Sequence, residues 1–320
     1  MQGQRFDSKV FLAPMAGITD CPMRRLVNSF GKGNIISEMV AINALNRKNA
    51  KTFKIADVRD EPYPVTVQLV GGDPVLFADC AKLAMELGAY SLDINMGCPV
   101  KKIVNNNSGA FLSRDLRLAS DIIKATVQAT PLQVSVKFRL GWDSNHINAV
   151  EFAKMCEDSG ASYITVHGRT RSDFYSGTAD WDKIAEVKAT VKIPVVGNGD
   201  VTDGISAQKM LDYTKVDAVM VGRAALGAPW IISEIDDYLR YKKEGQSKTP
   251  AFIKEVLCRH IALLREYYGD RTALALSRKY ACWYCKSLYD AKRFRELYVK
   301  SEDFNAAQKV IDDYFNAFGE

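Results

Sequence analysis

Eight short apolar runs rich in β-branched residues recur along the chain, at residues 10–13, 35–37, 65–69, 92–94, 134–138, 163–166, 194–196 and 218–221. Each runs into a polar or glycine-rich loop, the pattern of a strand buried on both faces. Their centres advance by about 30 residues, room for a strand, a loop and a returning helix, which is the βα unit of a parallel sheet. The segments between them carry helix signals. Asp73 and Pro74 are placed as N-cap and first residue of a helix that carries Ala81, Leu83, Ala84 and Leu87, with Gly88 set to end it. Eight such units in residues 1–240 predict a (β/α)8 TIM barrel, an α/β fold. A doubly wound sheet would carry a G-x-G-x-x-G turn after its first strand, where this chain has Pro14-Met15-Ala16-Gly17.

Residues 241–250, YKKEGQSKTP, form a charged linker with helix breakers. Thr249 and Pro250 then look like N-cap and first helical residue. Beyond them Ile253, Val256, Leu257, Ile261 and Leu264 share one helical face, as do Ala307, Val310, Ile311, Tyr314, Phe315 and Phe318. Residues 251–320 therefore read as a small all-helical C-terminal domain.

In a barrel of this kind, functional residues gather where the strands end at their C-termini. Reading off those ends gives Pro14 and Met15, Glu38, Gln68, Asn95 with Cys98, Lys137 with Arg139, His167 with Arg169, Asn198 with Asp200, and Gly222 with Arg223. One polar residue at a strand end is commonplace; a polar group at nearly every end marks a site. The loops Gly197-Asn198-Gly199-Asp200 and Gly222-Arg223 follow strands seven and eight, where barrels bind phosphate, and the glycines admit an anion close to the backbone. Strand alternation puts Ser135, Lys137 and Arg139 on one face. Lys137 has three readings: a Schiff-base amine, a cation under a reduced cofactor ring, or a structural ion pair. Cys98, in Asn95-Met96-Gly97-Cys98-Pro99, is read as a proton donor if it stays a thiol and as a nucleophile if Lys101 and Lys102 favour the thiolate. His167 is read as a ligand-bonding residue, Arg139, Arg169 and Arg171 as cations offered to the substrate, the last two on the rim within reach of a polyanion.

Charge changes the picture only locally. The 320 residues carry a net charge of +5, yet residues 241–300 hold 14 basic and 6 acidic side chains, against 28 and 27 in residues 1–240. Lys279, Lys286 and Arg293 lie in that basic stretch, interleaved with aromatics, the composition of a surface that follows a nucleic-acid backbone. The seven cysteines are scattered and odd in number, so reduced thiols are expected. Cys282 and Cys285 form a C-x-x-C without a second pair, so core positions are expected there and no metal site. No run of apolar residues is long enough for a membrane span, and residues 1–10 lack a secretory signal's apolar stretch, so a cytoplasmic protein is expected.

Taken in order, Ala-Pro-Met-Ala-Gly-Ile-Thr-Asp (13–20), Val-Gln-Leu (67–69), Asn-Met-Gly-Cys-Pro-Val-Lys-Lys (95–102), Val-Lys-Phe-Arg-Leu-Gly-Trp (136–142), His-Gly-Arg-Thr (167–170), Asn-Gly-Asp (198–200) and Gly-Arg-Ala-Ala (222–225) resemble the tRNA-dihydrouridine synthase family, most closely its bacterial B-type branch. The resemblance implies an FMN-dependent barrel, a helical tRNA-binding domain, and reduction of the C5=C6 bond of uridine in tRNA by NADPH or NADH, which would dock transiently. It implies flavin contacts from Pro14, Met15, Ala16, Gln68, Lys137, His167, Asn198, Gly199, Asp200, Gly222 and Arg223, Cys98 as proton donor, and substrate contacts from Asn95. Gly197 stands where the family more often has alanine. A monomer is expected. The readings left beside this one are an FMN oxidoreductase acting on a free pyrimidine or other small molecule, a Schiff-base aldolase using Lys137, and a non-catalytic RNA-binding protein.

Overall fold

A computed structural model describes residues 6–318; the ends of both expected domains, residues 1–5 and 319–320, lie outside the described residues. Eight parallel strands, β1 (Val10–Leu12), β2 (Asn34–Ala41), β3 (Val65–Val70), β4 (Ser91–Met96), β5 (Val134–Arg139), β6 (Tyr163–His167), β7 (Val195–Asn198) and β8 (Ala218–Val221), close in sequence order into a barrel. The expected (β/α)8 barrel is the observed fold. Six strands, β2 to β7, run further than their apolar runs. In β2, polar Glu38 lies inside the strand rather than at its end, and a register irregularity between Ile36 and Met39 marks the place.

Alternation sorts the side chains. Val65, Val67, Leu69, Leu92, Ile94, Val134, Val136, Phe138, Ile164 and Val166 point outward and pack under the helices in one large core. The opposite set points into the barrel and divides by height. At the N-terminal end, Phe11, Ile36, Tyr163, Val196, Ala218 and Met220 form an apolar plug, with Phe6 edge-on to Phe11 at 5.0 Å and to Tyr163 at 5.3 Å. Above it, buried Thr66, Gln68, Asp93, Ser135 and Thr165 make a polar layer. Burial costs these polar groups unless they bond one another.

The helix signals hold. The Asp73 carboxylate accepts from the N–H groups of Val75 (2.9 Å) and Leu76 (3.2 Å) at the head of Pro74–Glu86, and Gly88 follows its end at φ +87°. Thr249 caps Pro250–Tyr268 through the Phe252 N–H at 3.2 Å. With Asp270–Tyr284, Ala291–Val299 and Phe304–Asn316 this helix builds a second core that includes Val256, Leu257, Leu264, Tyr280, Phe294 and Ile311. Leu26 and Trp230 of the barrel belong to the same cluster, so the helical segment is seated on the barrel rather than tethered beside it. Cys285 is fully buried and Cys282 partly so. Among the described residues no group of His, Cys, Asp or Glu is arranged to hold a metal, and no helix is long and apolar enough to cross a membrane.

Candidate active site

Strand register assembles the site. At the C-terminal end of the barrel Asn95 lies beside Lys137, Arg139 beside His167, and His167 beside Asn198. Lys137 donates from Nζ to Asn198 Oδ1 at 3.1 Å, while Asn198 Nδ2 donates to the Met220 carbonyl at 2.9 Å, so the lysine is held toward β7 and β8. Burial, with the Arg139 charge beside it, pulls the Lys137 ammonium down to about 8.

Beneath it runs a chain of side-chain hydrogen bonds. Asn95 Nδ2 donates to Gln68 Oε1 (2.9 Å), Gln68 Nε2 to Asp93 Oδ2 (2.7 Å), and the Ser135 hydroxyl to Asp93 Oδ1 (2.6 Å). Burial pushes the Asp93 carboxyl up, against the bonds from Gln68 and Ser135 and the Lys137 charge. The other end of Asn95 orders the next loop: its Oδ1 accepts from the N–H groups of Gly97 (3.1 Å) and Cys98 (2.9 Å). Gly109, at φ +59°, closes on the far side, where a Cβ would stand 2.8 Å from the Cys98 carbonyl oxygen. The thiol is mostly buried, and that burial outweighs the Val100 N–H and the Arg139 and Lys137 charges, so its pKa is raised. Burial therefore favours the thiol form of Cys98 over the thiolate, and Lys101 and Lys102 are exposed to solvent.

The mouth is cationic. His167 is driven far below the usual imidazole range, first by burial and then by Lys137, Arg139, Arg169 and Arg223 in turn. One ring therefore feels four positive side chains. Asp200, at φ +58°, answers some of that charge: it accepts from Arg169 Nη2 at 2.9 Å, Arg223 Nη2 at 3.1 Å and the Ala179 N–H at 2.7 Å. Burial would raise its carboxyl, but these partners hold it below the usual range.

A family model described as dihydrouridine synthase matches residues 11–318. The chain belongs to the dihydrouridine synthase family. It is 42% identical to a Rickettsia conorii protein named "Probable tRNA-dihydrouridine synthase", over 97% of this chain and 94% of that one. It is 40% identical to the tRNA-dihydrouridine synthase B of Pseudomonas aeruginosa, over 96% of this chain and 93% of that one. Among solved structures, histamine dehydrogenase from Rhizobium sp. 4-9 superposes with a TM-score of 0.55 at 13% identity, over 80% of this chain and 49% of that one, a likeness of fold. Membership sets aside the aldolase reading of Lys137, although a lowered lysine pKa would also suit a Schiff base.

The structure brings Gln68, Asn95, Lys137, His167, Asn198, Asp200 and Arg223 together at one mouth, with Cys98 on the loop after β4 and residues 14–17 after β1. Three expected positions change. Arg169 is not on the rim: its side chain is only 2% exposed, and it bonds the Ser176 and Gly177 carbonyls as well as Asp200. Arg139 is buried too, donating to the carbonyls of Gly97 (2.9 Å), Thr170 (3.0 Å) and Phe174 (2.8 Å), so it ties the Cys98 loop to the loop after β6. Lys279 turns to the barrel and donates to the Gly17 carbonyl. Arg171 is partly buried, its guanidinium 4.5 Å from the Trp142 ring centroid. Lys286 and Arg293 are exposed as expected.

Gly197 has a physical reason here. A Cβ at that position would stand 2.5 Å from Met210 Sδ, so the glycine makes room for a large side chain behind β7. Two participants were missed from the sequence. Asp93 reads as an ordinary acidic residue until alternation is extended inward from Asn95. Tyr175 is exposed at the mouth, with Arg139 and Arg223 lying 5.5 and 5.4 Å from its ring centroid; only an aromatic in a loop of charges hinted at it.

Proposed function

We propose that this chain is a tRNA-dihydrouridine synthase that holds FMN at the barrel mouth, draws electrons from NADPH or NADH, and reduces the C5=C6 bond of uridine within tRNA in the cytoplasm. The observation that carries this is the concentration of four cations around His167, with Asp200 as the acidic partner of two of them. Such a site favours an anionic ligand, because each buried cation gains most from a paired negative group. The residues fit the phosphate and ring of FMN. Arg223 is half-exposed and would turn from Asp200 to a phosphate; a Cβ at Gly222 would meet only the Ala13 Cβ, at 3.7 Å. Pro14, Met15 and Ala16 on one side, with Gln68, Lys137, His167 and Asn198 on the other, would bound the ring.

When bound, the flavin supplies a hydride to uridine C6. Cys98 keeps a proton on Sγ and delivers it to C5, a role its raised pKa supports and a thiolate would not. Asn95 fixes the Cys98 backbone, and the polar chain through Gln68 to Asp93 fixes Asn95. The tRNA itself would lie along the helical segment, residues 251–320, joined to the barrel by residues 241–250. Ion pairs there use Lys254, Arg259 and Arg265, and Glu266 pairs with Arg25 of the barrel. Lys286, Lys292 and Arg293 stay outside any ion pair among the described residues and are available to phosphates.

The test is to incubate the purified chain with FMN, NADPH and unmodified tRNA and to map dihydrouridine by mass spectrometry, with uridine monophosphate in parallel. Dihydrouridine in tRNA alone is expected. Reduction of the mononucleotide at a comparable rate would favour the small-molecule oxidoreductase, and binding of tRNA without any reduction would favour a non-catalytic RNA-binding protein.

A further inference from the structure

The loop after β1, residues 14–20, is gripped from two sides. From the barrel, buried Glu38 accepts from the Gly17 N–H. From the helical segment, Lys279 donates to the carbonyl of the same Gly17, Tyr280 donates to the Ile18 carbonyl at 3.1 Å, and Tyr268 donates to Asp20 Oδ2 at 3.0 Å. Gly17 sits at φ +71°, a backbone state that glycine adopts without strain and leaves as readily, so external partners are what fix it. Tyr280 is 1% exposed, and Asp20 also caps Cys21–Asn28 through the Met23 N–H at 3.0 Å, so neither anchor can swing away cheaply. The Lys279 ammonium also lies 4.9 Å from the Tyr280 ring centroid, which keeps it on the same side. Burial against the loop lowers its pKa, with Asp20 and Glu38 opposing, whereas Lys286 and Arg293 are exposed.

We propose that Lys279 is a positioning residue of the barrel site rather than a tRNA phosphate contact: with Glu38 it clamps the Gly17 peptide, so the helical segment sets the loop that bounds the cofactor. The consequence for FMN rests on the function proposed above; the clamp itself does not. Pro14, Met15 and Ala16 stand immediately before the clamped peptide. Loss of one charged hydrogen bond at this point should loosen all three together.

Hydrogen exchange of the amides of residues 15–19 in the flavin-free protein reads the clamp directly, and titration with FMN reads its effect on the site. Lys279→Ala should speed exchange in that segment and raise the FMN dissociation constant by about tenfold, the scale of one charge-assisted hydrogen bond. Lys279→Arg, which keeps a cationic donor, should restore most of both, and Lys286→Ala should leave both unchanged. Glu38→Gln keeps an acceptor for the Gly17 N–H and should behave like the parent protein, whereas Glu38→Ala should resemble Lys279→Ala. Unchanged exchange and FMN affinity in Lys279→Ala, with weakened tRNA binding, would overturn the proposal. Should no variant, the parent included, bind FMN, the flavin reading fails while the exchange result still decides the clamp.

Discussion

Replacing Lys137 by methionine removes a cation that the fold holds at a cost. Its ammonium titrates at about 8 in the folded protein and would titrate near 10.4 in the unfolded chain. At about 1.4 kcal/mol per pKa unit the difference is about 3 kcal/mol. Lys137 keeps some contact with solvent at the mouth, which screens the charge and brings a realistic figure to about 1–2 kcal/mol. Because the folded pKa is the lower one, the unfolded chain binds more protons between the two values. The contribution of this group to stability therefore rises as pH rises from about 8 toward 10, and below 8 the penalty is present in full. Lys137→Met keeps the volume and lacks this dependence. Thermal unfolding of the flavin-free proteins at pH 7 and pH 10 should show the parent gaining on the variant by about 1.5–3 °C at the higher pH. FMN should shrink that gain, since an anion beside the lysine draws its pKa back up, and the variant should bind FMN more weakly. A difference between the two proteins that is flat with pH, or that moves in the variant's favour, would refute the account of Lys137 as a destabilised cation waiting for an anion.

Cys98→Ala should retain FMN and accept electrons from NADPH at nearly the parent rate, while single-turnover oxidation of the reduced enzyme by tRNA slows by about 100-fold or more, the scale of a lost general acid. Because burial raises the thiol pKa, the parent's tRNA step should stay flat across the ordinary thiol range near pH 8.5 and decline only above it; a rate that climbs with pH through that range would point to a thiolate role. Arg223→Ala should weaken FMN retention by about tenfold while leaving the fold intact, since Asp200 keeps Arg169 and the Ala179 N–H; equilibrium dialysis measures it. Reversing Lys286 and Arg293 together to glutamate should raise the tRNA dissociation constant, flatten its dependence on salt, and spare flavin reduction by NADPH; an unchanged salt slope would place the tRNA elsewhere.

The barrel was legible because its signal is repetitive: one period repeated eight times cannot easily arise from another fold, and each strand end displayed its chemistry in order. Alternation correctly put Ser135, Lys137 and Arg139 on one interior face. It said nothing of height within the barrel, which is why Asp93 was passed over and why Glu38, inside β2, was placed at a strand end. The helical segment was legible as helices from its apolar faces and the Thr249-Pro250 start.

What the sequence determined by itself is therefore the architecture and the residue types that gather at the barrel mouth, all set by local periodicity and by motifs a few residues long. What only the tertiary structure decided is how each charge is spent. Arg139 and Arg169 look in sequence like cations offered to a ligand, yet each donates to backbone carbonyls from loops far along the chain, because carbonyls buried at the barrel mouth must find donors there. The state of Cys98 was equally out of reach. Two neighbouring lysines suggested a thiolate, but they point to solvent, and the burial that raises the thiol comes from packing of Gly109 and the loop after β4. Lys279, read among phosphate-binding residues by its company in sequence, is committed to Gly17, 262 positions away, by the docking of one helical face on the barrel. Protonation and pairing are set by distance, exposure and dielectric, and those quantities exist only once the chain has folded.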